Sequence, residues 1–277
     1  MSDILWRGMT RAELDTAYDN RGAVKNSAAK LAEWTERSAR LRAAHPALLD
    51  LPYGPRPRNR IDVFRAGARG APLVVFFHGG YWQRNAKELF ACVAEGALAR
   101  GFDVALPGYT LAPDATMSEI VAEVRAAIAW LRTQGPQHGV GEGRLVVSGW
   151  SAGGHLTAMA MAMSEVDAGL AISGIYDLEP CRLSNLNDAL RLSAEEAAAM
   201  SPIRHLPHRA GPLVIAYGAA ELPELQRQSR DYGAALREAG LAAELTPLAG
   251  HDHFSILEEL ASPAGQLTDA VARLASR

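Results

Sequence analysis

From residue 72 onward, short apolar runs alternate with longer stretches of helical spacing. Leu73-Val74-Val75-Phe76-Phe77 is continuously apolar and bounded by Pro72 and by His78-Gly79-Gly80, as expected for a strand covered on both faces. Residues 87–100 carry helical spacing, residues 103–106 read as a short strand, and residues 116–133 as a clear helix. Leu145-Val146-Val147 is again β-branched and apolar, and the Ala- and Met-rich residues 152–163 that follow are helical. Strands at residues 169–173, 212–217 and 243–246, a helix at 224–238 and a C-terminal helix complete the pattern. Strand alternating with helix this many times implies parallel pairing with right-handed crossovers, a doubly wound and mostly parallel α/β sheet.

Two regions depart from that rhythm. Residues 10–45 place Leu14, Tyr18, Leu31, Trp34 and Leu41 among many charges, which predicts one or two amphipathic helices opening after Thr10, with Glu13 at capping-box spacing. Prolines 52, 55 and 57 then enforce a loop, and residues 60–64 alternate polar and apolar as a half-exposed strand does. Residues 174–209 hold one short helix, 194–200, among Asn, Ser and Pro, too long a stretch for a plain connection. The expectation is a single domain over residues 1–277, with a helical N-terminal extension (1–52) and a cap-like insertion (174–209) over the active face. The N-terminal helices are read as either a lid or a contact between two copies, which leaves a homodimer open.

Composition narrows the class. A hydrophobic content of 48% over 277 residues supports a sizeable core, and a net charge of −3 without blocks of like charge does not suggest a nucleic-acid footprint or an anionic-membrane surface. A small uncharged or zwitterionic partner fits better. The N-terminus lacks the basic start and apolar core of a secretory signal, and no stretch approaches the length of a membrane span. Cys92 and Cys181 do not form a disulfide framework. The default reading is a cytoplasmic protein.

The candidate chemistry sits at strand ends. In Gly149-Trp150-Ser151-Ala152-Gly153 a strand breaks sharply into a helix, which forces the bend residue into a strained conformation and lifts Ser151 above the sheet edge. A serine hydroxyl needs a base to act as a nucleophile. His45, His138, His205 and His208 sit in polar surroundings and read as surface residues, and His155 as a local packing residue. His251 and His253 follow the last strand and emerge at the ligand face of an open α/β sheet. His253, followed by the apolar anchor Phe254, is the preferred base and His251 the alternative. The His251-Asp252-His253 run has no second ligand cluster, so a metal is not expected, and the chemistry needs no cofactor. Glu221, in the exit loop of a strand, is the preferred acid, with Glu224 as competitor at the start of the next helix. Ser151, Glu221, His253 is the nucleophile, acid, base order of α/β-hydrolases. Gly79-Gly80 lets the main chain approach a reacting carbonyl, so the amides of Gly80, Tyr81 and Ala152 are the expected oxyanion hole.

His78-Gly79-Gly80-Tyr81-Trp82, Gly149-Trp150-Ser151-Ala152-Gly153-Gly154-His155-Leu156 and Asp252-His253-Phe254 resemble the kynurenine formamidase (arylformamidase) branch of the α/β-hydrolase esterase and lipase families. Gly174-Ile175-Tyr176-Asp177-Leu178-Glu179-Pro180 and Gln226-Arg227-Gln228-Ser229 are similar to that branch as well, so the likeness runs from about Tyr53 onward. Related esterases carry a third glycine where Tyr81 stands, an aromatic form the formamidase branch shares, and an aspartate where Glu221 stands. The resemblance implies hydrolysis of N-formyl-L-kynurenine to L-kynurenine and formate, or of a related aryl formamide or ester, with Trp82, Trp150 and Tyr176 lining an aromatic pocket beside Tyr81. A short-chain carboxylesterase uses the same machinery, and a catalytically silent binding module would keep only the fold.

Overall fold

A computed structural model describes residues 3–208 and 210–276. Eight strands form one sheet: β1 (Leu51–Pro52), β2 (Arg60–Phe64), β3 (Leu73–Phe77), β4 (Asp103–Pro107), β5 (Leu145–Trp150), β6 (Ala168–Ile172), β7 (Leu213–Gly218) and β8 (Ala243–Leu248). Their order is β1-β2-β4-β3-β5-β6-β7-β8. β1 and β2 run antiparallel at one edge, and every pair from β4 to β8 is parallel. Alternation within the apolar runs builds a core on each side: Leu73, Val75 and Phe77 face one helical layer, Val74 and Phe76 the other. The first layer holds the helices Met117–Thr133, Ala152–Ala160 and Pro223–Glu238, and the second holds Ala94–Ala99 and Gln266–Ala275. This is the α/β-hydrolase architecture, with the carboxyl ends of the parallel strands gathered at one rim. Among the described residues no helix is long and apolar enough to cross a membrane.

The N-terminal region forms three helices, Arg11–Ala17, Asn20–Ala23 and Ser27–Ala44. The first opens with the predicted capping box between Thr10 and Glu13. The third is built into the second layer: Trp34 is buried, lies stacked at 6.0 Å on Phe254 and edge-on at 5.8 Å to Trp150, and donates its Nε1–H to Glu258 at 2.6 Å. Residues 87–100, expected as one helix, form a 3₁₀ segment Lys87–Val93 followed by the α-helix Ala94–Ala99. The cause is a hydroxyl from the N-terminal region. Ser38 Oγ accepts from the Cys92 amide at 2.9 Å and donates to the Leu89 carbonyl at 2.8 Å, taking the groups an α-helical ladder would use. The insertion contains Glu179–Leu183 and Asn187–Leu190 in addition to the expected helix, which spans Ala194–Ala199. Its expected end, Arg209, lies outside the described residues, as do Met1, Ser2 and Arg277.

Strand β2 is not half-exposed. Asp62, a polar position in its alternation, is fully buried because it closes an ion cluster: Lys87 Nζ lies 2.6 Å from Asp62 and 2.7 Å from Asp50, and Arg42 pairs with Asp62 from the long N-terminal helix. Removing one member of a buried cluster leaves the others uncompensated, so Lys87→Met is expected to destabilise the fold by about 3 kcal/mol. Urea denaturation would measure this, and a loss under ~0.5 kcal/mol would show that Arg42 alone satisfies Asp62.

Candidate active site

The site begins where β5 ends. Ser151 has φ 59° and ψ −118°, a conformation that non-glycine residues rarely hold, and the helix Ala152–Ala160 starts immediately after it. Small residues are required around the bend by close approach: a Cβ on Gly149 would lie 2.3 Å from the Gly153 carbonyl oxygen, and one on Gly153 would meet the Phe77 carbonyl oxygen at 1.9 Å. The Ser151 amide is fixed by donation to the Ile172 carbonyl at 2.8 Å, so the hydroxyl is presented at the rim by a rigid corner.

His253 arrives from the loop after β8 and Glu221 from the loop after β7. His253 Nδ1 lies 3.1 Å from Glu221 Oε2, and both side chains are buried. The other oxygen of Glu221 is held by two donors, Ser173 Oγ at 2.5 Å and the Gly218 amide at 2.7 Å. The loop carrying His253 is pinned through its carbonyl, which accepts from Trp150 Nε1 at 2.7 Å. Ser151 and His253 border the same cavity, of about 280 Å³. Among the described residues no hydrogen bond joins their side chains, and such contacts often tighten only when substrate is bound.

The competing candidates are engaged elsewhere. Glu224 is buried on the helix Pro223–Glu238, paired with Arg227 at 2.8 Å and accepting from Tyr18 Oη at 3.3 Å. His251 turns to Glu259 at 3.4 Å, and Asp252 caps the amides of Phe254 and Ser255, so the His-Asp-His run diverges toward three separate partners. His155 Nε2 lies 2.8 Å from the Met200 carbonyl, and burial lowers its pKa to about 4, which keeps the ring neutral.

The loop after β3 is fixed carbonyl by carbonyl. Tyr109 Oη donates to the His78 carbonyl at 2.8 Å, Asn85 Nδ2 donates to the Gly79 carbonyl at 3.0 Å, and the Gly80 carbonyl accepts the amides of Gln83 and Arg84. His78, stacked 4.3 Å from Tyr109, has its pKa lowered to about 4 by burial and stays neutral. Gly80 has φ 128°, and a Cβ there would lie 2.4 Å from the Arg84 carbonyl oxygen. With the carbonyls turned away, the amides of Gly80, Tyr81 and Ala152 have no acceptor among the described residues.

Of the three expected pocket aromatics, only Trp150 borders the cavity. Trp82 is fully buried, edge-on to His155 at 5.0 Å, and Tyr176 is fully buried, stacked 4.4 Å from Tyr232. Both are core residues, a correction with a simple cause: each large ring finds a partner ring in the first helical layer and gains more by complete burial than by facing a wet cleft. The cavity is walled by Tyr81 and Phe254 beside Trp150, by Leu186 of the insertion, and by Tyr18 and Asn20 of the N-terminal region, with Asp15, Asp19, Arg21 and Arg84 at the same cavity. The N-terminal residues and Ser173 escaped sequence reasoning. Ser173 carried a usable signal, since it directly follows a parallel strand at the ligand rim, whereas nothing local marks Tyr18 or Asn20.

Comparison with known proteins places the chain in a family. The family described as BD-FAE matches residues 61–178. The kynurenine formamidase of Danio rerio is 30% identical, covering 99% of this chain and 99% of its own, and that of Salmo salar is 30% identical, covering 97% and 98%. Among solved structures, a candidate thioesterase from Silicibacter sp. TM1040 superposes with a TM-score of 0.85 at 28% identity, covering 94% of this chain and 99% of that one. Near-complete mutual coverage at this identity, on a fold with the elbow, the Glu-His pair and the glycine loop described above, makes the chain an enzyme of the α/β-hydrolase type, and it belongs to the kynurenine formamidase family.

Proposed function

We propose that the protein hydrolyses the formyl group from an aryl formamide, N-formyl-L-kynurenine to L-kynurenine and formate, with Ser151 as nucleophile, His253 as base and Glu221 as the acid that orients it. The observation that carries the catalytic reading is the Glu221–His253 pair at 3.1 Å beside the cavity that Ser151 borders. In the first step Ser151 Oγ adds to the formyl carbon while His253 Nε2 takes its proton, and the amides of Gly80, Tyr81 and Ala152 receive the negative oxygen. His253 then returns the proton to the departing aryl amine. Water, deprotonated by the same ring, attacks the formyl ester, and collapse releases formate and restores the serine. Glu221 is held as an acceptor by Ser173 and Gly218, which supports its role in keeping the proton on Nδ1.

The substrate class rests on the full-length formamidase relatives and on the cavity. Its volume of about 280 Å³, walled by Trp150, Phe254 and Tyr81, suits one aryl ring with a short acyl group. A second reading, a short-chain carboxylesterase, is favoured by the likeness to the candidate thioesterase, since the same machinery attacks any activated acyl carbon. Formate release from N-formyl-L-kynurenine, measured beside turnover of p-nitrophenyl acetate, separates the two. The formamide is expected to be the better substrate by kcat/KM, and ester turnover without formate release rejects the first reading. A cytoplasmic site of action is proposed with it, supported by the free, buried thiols of Cys92 and Cys181.

A further inference from the structure

Tyr81 and Trp82 are consecutive, bulky, and both left-handed, with φ 51° and 57°. Such conformations are costly and persist only where the surroundings over-determine them. Trp82 is held by complete burial. Tyr81 is only partly buried, and its hydroxyl supplies the anchor, donating to the Tyr18 carbonyl at 2.6 Å and accepting from Asn20 Nδ2 at 2.8 Å. Both partners belong to the N-terminal region.

The hydrogen bonds dictate the orientation of Asn20. The phenol has one proton, which goes to Tyr18, so Asn20 must present its NH₂ to the Tyr81 oxygen. Asn20 Oδ1 is thereby left buried without a partner, in a side chain only 3% exposed that borders the cavity. An unsatisfied buried acceptor opposes folding, and an element retained for stability alone would avoid it. Tyr18 is itself moored outside the cavity: its hydroxyl donates to Glu224 at 3.3 Å and accepts from Gln228 at 3.0 Å, both on the helix that follows the Glu221 loop. The N-terminal segment therefore ties the loop after β3 to the helix Pro223–Glu238.

From this geometry we infer that Asn20 is a positioning residue of the oxyanion hole, holding the Tyr81 ring so that the Tyr81 amide keeps its aim at the developing negative oxygen. The inference rests on the reading of Tyr81 as an oxyanion donor. A donor that wanders is engaged only part of the time, so Asn20→Ala is expected to lower kcat by about 10-fold to 100-fold, less than or equal to outright loss of a donor, with KM changed less than ~3-fold. Affinity for an aryl trifluoromethyl ketone, whose adduct with Ser151 places an oxyanion in the hole, falls by the same factor as kcat, while affinity for the product amine does not move. Tyr81→Phe cuts the same tether from the other end. If Asn20 acts through that hydroxyl, the double variant is no slower than Tyr81→Phe alone.

Melting curves of all three variants establish that each is folded, and Tyr81→Phe keeps the test decisive if Asn20→Ala is not. A kcat loss that multiplies in the double variant, a loss confined to KM, or an unchanged affinity for the ketone overturns the inference. The inference can fail apart from the underlying reading. If Tyr81→Phe slows turnover and Asn20→Ala does not, only the role of Asn20 is wrong. If neither changes kcat while Ser151→Ala abolishes activity, the Tyr81 hydroxyl does not aim the amide, and the inference fails while the donor reading at Tyr81 stands.

Discussion

Ser151→Ala is expected to lower kcat for every acyl substrate by at least ~10⁴-fold, as loss of the nucleophile does in serine hydrolases. The substitution removes one oxygen from a corner whose other contacts are main-chain: the Ser151 amide still donates to Ile172, and Gly149 and Gly153 still close on one another. The fold should therefore be unchanged, and the loss should read as chemistry. What remains reflects binding and oxyanion donors acting on bound water. Covalent labelling by a fluorophosphonate, followed by mass spectrometry, is expected in the parent and absent in the variant. Activity within tenfold of the parent, or labelling elsewhere, would remove Ser151 from the mechanism. The same corner gives a stability corollary. Ser151→Gly relieves the strain of φ 59° and ψ −118° and should raise the midpoint of unfolding by the equivalent of about 1 kcal/mol while abolishing turnover.

Much of this geometry is legible in the sequence because it obeys local rules. Apolar runs and helical spacing give the strand order its parallel character, and the requirement that ligand sites lie beyond strand carboxyl ends is enough to bring Ser151, Glu221 and His253 to one rim. What escapes depends on contacts between distant segments. The 3₁₀ turn at Lys87–Val93 exists because Ser38, 51 positions before Leu89, interposes its hydroxyl. Asp62 looks solvent-facing until Lys87 and Arg42 are placed against it. Trp82 and Tyr176 look like pocket rings because residue type reports size and not direction, and Tyr18 and Asn20 carry no mark of the cavity they wall. Pattern fixes which face of an element is apolar, and packing decides what meets it.

The second large effect is expected at Glu221→Gln. Glutamine has the same shape, so a purely steric role for the side chain would leave activity intact. The donors around it impose another outcome. Ser173 Oγ and the Gly218 amide both aim hydrogens at one oxygen, at 2.5 Å and 2.7 Å, and that position must stay an acceptor. The glutamine carbonyl oxygen is therefore held there, and the NH₂ is turned toward His253 Nδ1, where the carboxylate oxygen lay at 3.1 Å. A donor at that place requires Nδ1 to accept, which puts the ring proton on Nε2, the atom that should receive the proton of Ser151. The expected loss in kcat is ~10³-fold to 10⁴-fold, comparable to the corresponding acid-to-amide change in a serine protease triad, with KM nearly unchanged. Nitrogen NMR of the labelled ring would report the tautomer directly, with Nδ1–H in the parent and Nε2–H in the variant. Glu221→Ala removes the imposed donor together with the charge, so it should be no worse than Glu221→Gln. If the amide variant is instead the more active of the two, orientation by tautomer is not what Glu221 provides, and its charge or its packing must account for the pairing with His253.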